Sequence, residues 1–266
     1  MGYSLGIDFG TSTTKVALRR GSEIPQPLPI GKGGEFFMPS AVAYGRTKND
    51  MAETIAIGED ATVVPETEDT HAVNEVKRCL AAADSSTRLP QERYPWWNHE
   101  DGCIELWSSR FSPHDVVLTI LNEALERAVR LARELGFGAD VDRFSIRGLP
   151  TRLGASVTAS LETRKVLAEV ARRLGFPNFR VENLCEEPIL ACLSYVHLEP
   201  EIIPGETILI YDLGGGTFDT AIVKVHEDTA RDIPSLTVFA ADGEPFLGGV
   251  DIDEALFQHL AHRIAE

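Results

Sequence analysis

Apolar and polar positions alternate along Tyr3–Phe9 and again along Thr14–Arg20, two runs rich in apolar and β-branched residues. The pattern predicts two strands joined by the glycine-led turn Gly10-Thr11-Ser12-Thr13. Two further hairpins are expected, Val42–Tyr44 with Thr54–Ile57 around Asn49-Asp50, and Tyr94–Asn98 with Cys103–Trp107 around Asp101-Gly102. Trp96, Trp97 and Trp107 are then expected to pack across strands rather than to form a binding surface. Ser112-Pro113-His114-Asp115 opens a helix with a capping serine, an early proline and an acid near the positive dipole end. Val117, Leu121, Ala124, Leu125, Ala128, Ala132 and Leu135 continue it at helical spacing up to Gly136. Phe144–Gly148 reads as a strand, Ser156–Leu174 as a second amphipathic helix, and a third helix starts near Glu186-Glu187-Pro188. Beyond Pro204-Gly205 the strand texture returns in Thr207–Tyr211, Thr220–Val225 and Leu236–Ala240, before a last helix at Asp253–Ile264. Mixed strands and helices of this kind predict an α/β fold.

Composition narrows the classes. The chain has 266 residues, 43% hydrophobic and 25% charged, as an ordinary globular protein does. Its net charge of −16 lacks the basic face that nucleic acids or anionic membranes require. The start has no basic region followed by an apolar run, and Gly6 stands where a myristoylation signal needs Ser or Thr. No stretch is apolar for the ~20 residues of a membrane span. Cys79, Cys103, Cys185 and Cys192 are scattered, which predicts reduced thiols and a cytoplasmic location.

The chemistry lies in a repeat. Ile7-Asp8-Phe9-Gly10-Thr11-Ser12-Thr13 and Tyr211-Asp212-Leu213-Gly214-Gly215-Gly216-Thr217 both read apolar–Asp–apolar–Gly–x–x–Thr between two strands. Glycine lets backbone N–H groups converge on one point, a concavity suited to anions, and the Thr and Ser hydroxyls add donors. The strand-end aspartates, Asp8 and Asp212, offer the hard oxygens that suit Mg²⁺ beside a polyphosphate. A P-loop, GxxxxGK[ST], is absent.

These motifs, with Asp219, resemble the two phosphate motifs of the seventy-kilodalton heat-shock chaperone ATPases. Phe37-Met-Pro-Ser-Ala-Val42, Gly58-Glu-Asp-Ala61, Val76-Lys-Arg78, Glu187-Pro188 and Leu247-Gly-Gly249 match the same family in order. The resemblance implies an actin-like (ribonuclease H-like) ATPase fold. It implies a first lobe over residues 1–200, carrying an inserted subdomain at about 37–111, and a second lobe that starts at 205–266 and is truncated. It implies ATP or ADP with Mg²⁺ as ligands. Gly10, Thr11, Ser12, Thr13, Gly214, Gly215 and Gly216 would cradle phosphate, and Asp8 and Asp212 would anchor the metal through its waters. Lys77 would be the catalytic lysine, Glu187 and Asp219 would orient water and metal, and Thr217 would touch the γ-phosphate. Such a transfer asks for positioning and charge neutralisation above all. Pro150 and Arg164 resemble the family's residues that relay nucleotide state between domains.

The chain also departs from the family. Thr151-Arg152-Leu153 replace the Ala and aromatic expected after Pro150, and Val250 replaces an acid after Gly248-Gly249. Asp251 and Asp253 are expected to cap the last helix rather than to serve the cleft. Asp212 comes 204 positions after Asp8 (212 − 8), but only 54 residues (266 − 212) follow it, so the adenosine-binding part of the second lobe, placed there by the resemblance, is expected to be missing. The function expected is the ATP-binding and ATP-hydrolysing module of a chaperone-like protein, inactive or very weak as this chain alone. The alternatives are a non-hydrolysing adaptor or pseudo-ATPase platform and, with no acceptor-activating base evident, a small-molecule kinase of the same superfamily. A co-chaperone, or another chain completing the second lobe, would be the protein partner.

Overall fold

The computed structural model describes residues 2–83, 87–135, 137, 145–198, 204–226 and 235–265. They form two compact units, one of Met1–Leu153 with Ser160–Leu184, the other of Gly154–Ala159 with Cys185–Glu266.

The first unit begins with β1 (Tyr3–Phe9) and β2 (Thr13–Arg20), antiparallel in unbroken register from Tyr3↔Arg20 to Phe9↔Thr14. Their alternation turns Leu5, Ile7, Phe9, Val16 and Leu18 inward. The short strands β3 (Gln26–Pro27) and β4 (Met38–Pro39) pair with the two ends of β2. Next come β5 (Val42–Arg46), β6 (Ala52–Ile57), the one-turn helix α1 (Glu59–Thr62) and β7 (Thr70–Val73), with β5 central in a separate sheet. The helix α2 (Val76–Ala83) precedes a meander of β8 (Trp97–Asn98), β9 (Cys103–Leu106) and β10 (Ser109–Phe111). Trp96 and Trp97 are buried beside it, so they pack as expected.

The long helix α3 (Pro113–Glu134) starts at the expected capping box, in which Ser112 and Asp115 satisfy each other's backbone. It buries Val117, Ile120, Leu121, Ala124, Leu125 and Ala128 along one face. The strand expected at residues 144–148 is not where the sequence pattern puts it. Phe144 lies outside the described residues, Ser145–Gly148 is a 3₁₀ turn, and the strand is β11 (Thr151–Ala155). It runs parallel to β1 from Leu5↔Thr151 to Ile7↔Leu153. A parallel neighbour requires a crossover, and the segment containing α3 supplies it. The helix expected from Ser156 begins later, as α4 (Leu161–Arg173), because Ser160 is the residue whose Oγ accepts the Thr163 N–H at 3.0 Å. The strand β12 (Leu184–Glu186) completes the sheet order β12-β11-β1-β2-β3.

The second unit holds α5 (Glu187–Leu198), the meander β13 (Thr207–Leu213), β14 (Phe218–His226) and β15 (Ser235–Glu244), and α6 (Gly249–Ala265). Its core joins Cys192 and Val196 of α5 to Ile210, Ala221, Val223 and Val225 of the sheet. The other sheet face is apolar but open, with Leu209, Tyr211, Leu213 and Ile222 exposed. All four cysteines are free thiols, Cys79 and Cys192 buried, Cys103 and Cys185 partly so. No helix among the described residues is long and apolar enough to cross a membrane.

One half-buried ion cluster ties the long helix to the β5 sheet region. Arg127 reaches both Glu59 and Glu123 at 2.8 Å, and Glu59 also accepts the Lys32 N–H at 2.8 Å. Burial works to raise the Glu59 carboxyl, but the Arg127 guanidinium and the backbone N–H groups outweigh it and hold it below its ordinary 4.5. A carboxyl lowered in the fold stabilises above its unfolded pKa and loses that contribution as pH falls through the folded value. Urea unfolding should therefore show stability falling below pH 4.5. Arg127→Met should remove part of that acid sensitivity and cost about 1–3 kcal/mol at neutral pH, having left a half-buried carboxylate without its cation.

Candidate functional site

In the first unit, the chain between β1 and β2 turns in four residues, with Gly10 N–H donating to Thr13 O at 2.9 Å. A Cβ on Gly10 would stand 2.7 Å from that same oxygen, so the turn admits glycine alone. Ser40 staples the turn from outside. Its N–H donates to Ser12 O and its hydroxyl to Gly10 O, both at 2.9 Å, and its Oγ lies 2.9 Å from Thr14 Oγ1. Thr11, Thr14 and Ser40 are buried, whereas Ser12 faces solvent. Asp8 lies opposite Lys15 in the register, and Lys15 Nζ donates to Asp8 Oδ2 at 2.9 Å.

Lys77 belongs to this unit, on the first turn of α2, and its side chain is nearly enclosed. The residue before the helix, Glu75, has a left-handed backbone (φ 56°) and holds Arg93 at 2.5 Å and the Tyr94 hydroxyl. Burial first and the Glu75 carboxylate second push the Tyr94 phenol upward, so it stays a protonated donor.

The second unit repeats the turn. Gly214 N–H donates to Thr217 O at 2.9 Å, and Asp212 pairs with Asp219 as Asp8 pairs with Lys15, seven residues on. Here the loop Gly214–Gly216 is backed by the start of α6. Gly249 N–H donates to Gly214 O at 3.0 Å and Val250 N–H to Gly215 O at 2.9 Å. Val250, the departure from the family's acid, thus contributes through its backbone. Asp251 accepts the Gly248 N–H at 2.8 Å, the capping role expected of it. Asp219 is 1% exposed, and its Oδ1 accepts from Ser156 Oγ at 2.8 Å and Val157 N at 3.1 Å. Glu187 opens α5 in the same unit, and Thr217 closes the turn.

The structure brings Asp8, Gly10, Thr11, Ser12, Thr13 and Lys77 into one unit, and Asp212, Gly214, Gly215, Gly216, Thr217, Asp219 and Glu187 into the other. Pro150 precedes β11, and its carbonyl accepts the Leu5 N–H at 2.9 Å. Lys15 and Ser156 are functional-site neighbours that sequence reasoning missed, whereas Ser40 and Gly248 stood, without a role, inside the stretches that carry the resemblance. Only Lys15 had a signal, since a four-residue turn between antiparallel strands puts position 15 opposite position 8. Asp8 and Asp212 each supply hard oxygens at the end of a strand of their own unit, the ligand chemistry that suits Mg²⁺. Elsewhere, Asp101, Cys103 and Glu105 cluster at metal-ligand distances, but Arg110 binds all three and supplies the positive charge itself.

The backing of the second loop is sterically exacting. A Cβ on Gly248 would lie 2.5 Å from Gly215 O and Gly216 N, whereas one on Gly249 would meet nothing nearer than 3.9 Å. Gly248→Ala should therefore cost about 1–3 kcal/mol by forcing the loop off the helix. Gly249→Ala should be neutral or stabilise by up to ~1 kcal/mol. Thermal melts of the two neighbouring variants test this, and equal losses would refute it.

The Hsp70 protein family model matches residues 162–266, from α4 through the second hairpin and α6. The chaperone protein HscA homolog of Photobacterium profundum is 28% identical over 259 residues, covering 95% of this chain and 36% of that protein. The chain thus spans a little over a third of the length of this relative. Matched by the family model over residues 162–266 and by a chaperone over nearly its whole length, the chain is similar to Hsp70-family proteins.

Proposed function

We propose that this chain is the phosphate-gripping part of a chaperone ATPase, in which the two Asp-Gly hairpins hold the phosphates of one Mg-ATP. The observation that carries the reading is the repeat at atomic level, with the same Gly N–H to Thr C=O bond at 2.9 Å and the same i, i+7 pairing of the strand-end aspartate. Turn N–H groups and hydroxyls are the donors for phosphate oxygens, supplied by Gly10–Thr13 and Gly214–Thr217. Asp8 and Asp212 hold Mg²⁺ through its waters. When bound, the ion neutralises charge on the phosphate oxygens. Lys77 adds positive charge beside the γ-phosphoryl group as water attacks it and ADP leaves. Glu187 and Asp219 orient the attacking water, and Thr217 fixes the γ-phosphate. Asp219 is suited to orientation because its carboxylate is already anchored by Ser156 and Val157 and cannot swing freely. The first lobe at 1–200 and the second from 205 onward remain part of this proposal, as does a cytoplasmic chaperone role with a co-chaperone partner.

A second reading has one specific observation behind it. Lys15 places an internal cation on Asp8, where the second hairpin has Asp219. A nucleotide site that lets a lysine stand in for part of the metal's charge serves as a binding platform without turnover. The exposure of both groups argues that the pair is weak and yields to a divalent ion.

Calorimetry of Mg-ATP with the 266-residue chain tests the proposal. Half of a binding free energy of about −8.2 kcal/mol would leave a dissociation constant of ~1 mM, so weak saturable binding without steady phosphate release is expected. Asp8→Asn and Asp212→Asn should each shrink the gain in affinity that Mg²⁺ confers. Lys15→Met should enlarge it. In a longer parent protein, Lys77→Ala should keep binding but lose most hydrolysis, since that charge acts in the transition state. No heat at ~10 mM nucleotide, or affinity indifferent to both aspartates, would refute the phosphate-grip reading.

A further inference from the structure

We propose that Ser40 is the positioning residue of the first phosphate turn, its hydroxyl setting the direction and donor strength of the Thr11 amide that meets the phosphate. The inference rests on the phosphate-grip reading and concerns a residue outside the turn itself. Ser40 follows β4 and is 2% exposed, with its hydroxyl on Gly10 O and its N–H on Ser12 O, each at 2.9 Å. A hydroxyl carries one proton. With the Ser40 proton on Gly10 O, the 2.9 Å contact with Thr14 Oγ1 runs the other way, Thr14 donating to Ser40. A chain of bonds therefore leads from Thr14 through Ser40 to the Gly10 carbonyl, and each link polarises the next.

That carbonyl shares a peptide unit with the Thr11 N–H. No peptide among the described residues is cis, and in a planar trans unit the C=O and N–H point opposite ways. Pinning Gly10 O toward Ser40 thus points the Thr11 N–H away from it, and the bond accepted by the oxygen makes that N–H a stronger donor. Thr11 is 4% exposed, yet its N–H has no partner among the described residues. A nearly buried amide left open is rare unless a group from outside the chain bonds to it. The second turn repeats the device with a different part. Gly214 O accepts the Gly249 N–H at 3.0 Å, which orients the Gly215 amide in the same way. Two turns with unrelated supports therefore engage the carbonyl of the same first glycine. Closing the turns does not require it, because the Gly10 and Gly214 N–H groups already bond to Thr13 O and Thr217 O.

The test is nuclear magnetic resonance of the 266-residue chain labelled with ¹⁵N-threonine, titrated with Mg-tripolyphosphate and with Mg-ATP. Ser40→Ala removes the hydroxyl but keeps the N–H that holds Ser12 O. It should move the Thr11 nitrogen resonance in the free protein while that of Thr13, whose peptide carbonyl is Ser12 O, stays in place. It should also weaken both probes by roughly three- to tenfold, the worth of one hydrogen bond. Thr14→Val should move the Thr11 resonance less and weaken binding less, and both effects should vanish in the Ser40→Ala background. If Ser40→Ala does not fold, the Thr11 shift in Thr14→Val decides. An unmoved Thr11 resonance would overturn the proposal and leave the phosphate grip standing. The same follows from unchanged affinity in Ser40→Ala despite a lower melting temperature, or from Ser40 and Thr14 losses that simply add. Neither probe bound by the unaltered chain at ~10 mM would overturn the grip itself, and this proposal with it.

Discussion

A hairpin that reverses in four residues through glycine fixes which side chains stand opposite each other, and here that constraint operates twice. Once Gly10 N–H bonds to Thr13 O, position 8 must face position 15. Once Gly214 N–H bonds to Thr217 O, position 212 must face position 219. The backbone is thereby duplicated, and the chemistry is set by what occupies the facing position. Lysine there gives the first hairpin an exposed ion pair. Aspartate there gives the second a buried carboxylate close to another carboxylate, which is costly unless other groups bond to it.

The second unit meets that cost locally. Ser156 and Val157 donate to the same Asp219 oxygen, and they sit on the short segment Gly154–Ala159 that belongs to this unit although its chain neighbours belong to the other. A bond between β14 and this segment is therefore part of what makes the segment and the sheet one compact body. The first hairpin is held differently, by Ser40, whose hydroxyl and N–H bond to the carbonyls of Gly10 and Ser12. The first turn is thus held by one serine distant in sequence, the second by the start of α6. The carbonyls of Gly10 and Ser12 are engaged by Ser40 and those of Gly214 and Gly215 by the start of α6, so the sides of the turns that can meet an anion are the amides and hydroxyls beyond the Gly10 and Gly214 N–H groups.

Much of this was legible in the sequence, for identifiable reasons. The strands β1, β2, β13 and β14 were readable because a buried face imposes period-two alternation, and α3 because Ser112, Pro113 and Asp115 declare its start. The repeat was readable because glycine is required wherever a Cβ would strike the turn's own carbonyl, as at Gly10. The strand β11 was not, because it reads Thr-Arg-Leu-Gly-Ala, with neither a β-branched run nor clean alternation, and is held by its parallel pairing with β1. Local propensity yields to tertiary pairing at such a strand. The bonds made by Ser40 and Ser156 were invisible for a related reason. A serine that bonds across 26 or 63 residues looks, in sequence, like any surface serine.

The two units differ in how they handle apolar surface, and the difference follows from secondary structure. In the first, α3 and α4 pack with each other and α3 against β2, so long helices cover what the sheets expose. In the second, α5 covers one face of a three-stranded sheet, and Leu209, Tyr211, Leu213 and Ile222 remain on the other. Tyr211 and Phe218 pack with ring centroids 4.6 Å apart and planes tilted by 53°, shielding part of that face with the sheet's own aromatics. A three-stranded sheet with one helix cannot bury both its faces, however its residues alternate. The polar pattern on α6, with an acid at its start and a base near its end, cannot compensate, because dipole-matched charges keep a helix soluble without covering its ridge. Solubility and burial are separate requirements in this unit, and its sequence meets the first through charge while leaving the second to contacts beyond its own sheet.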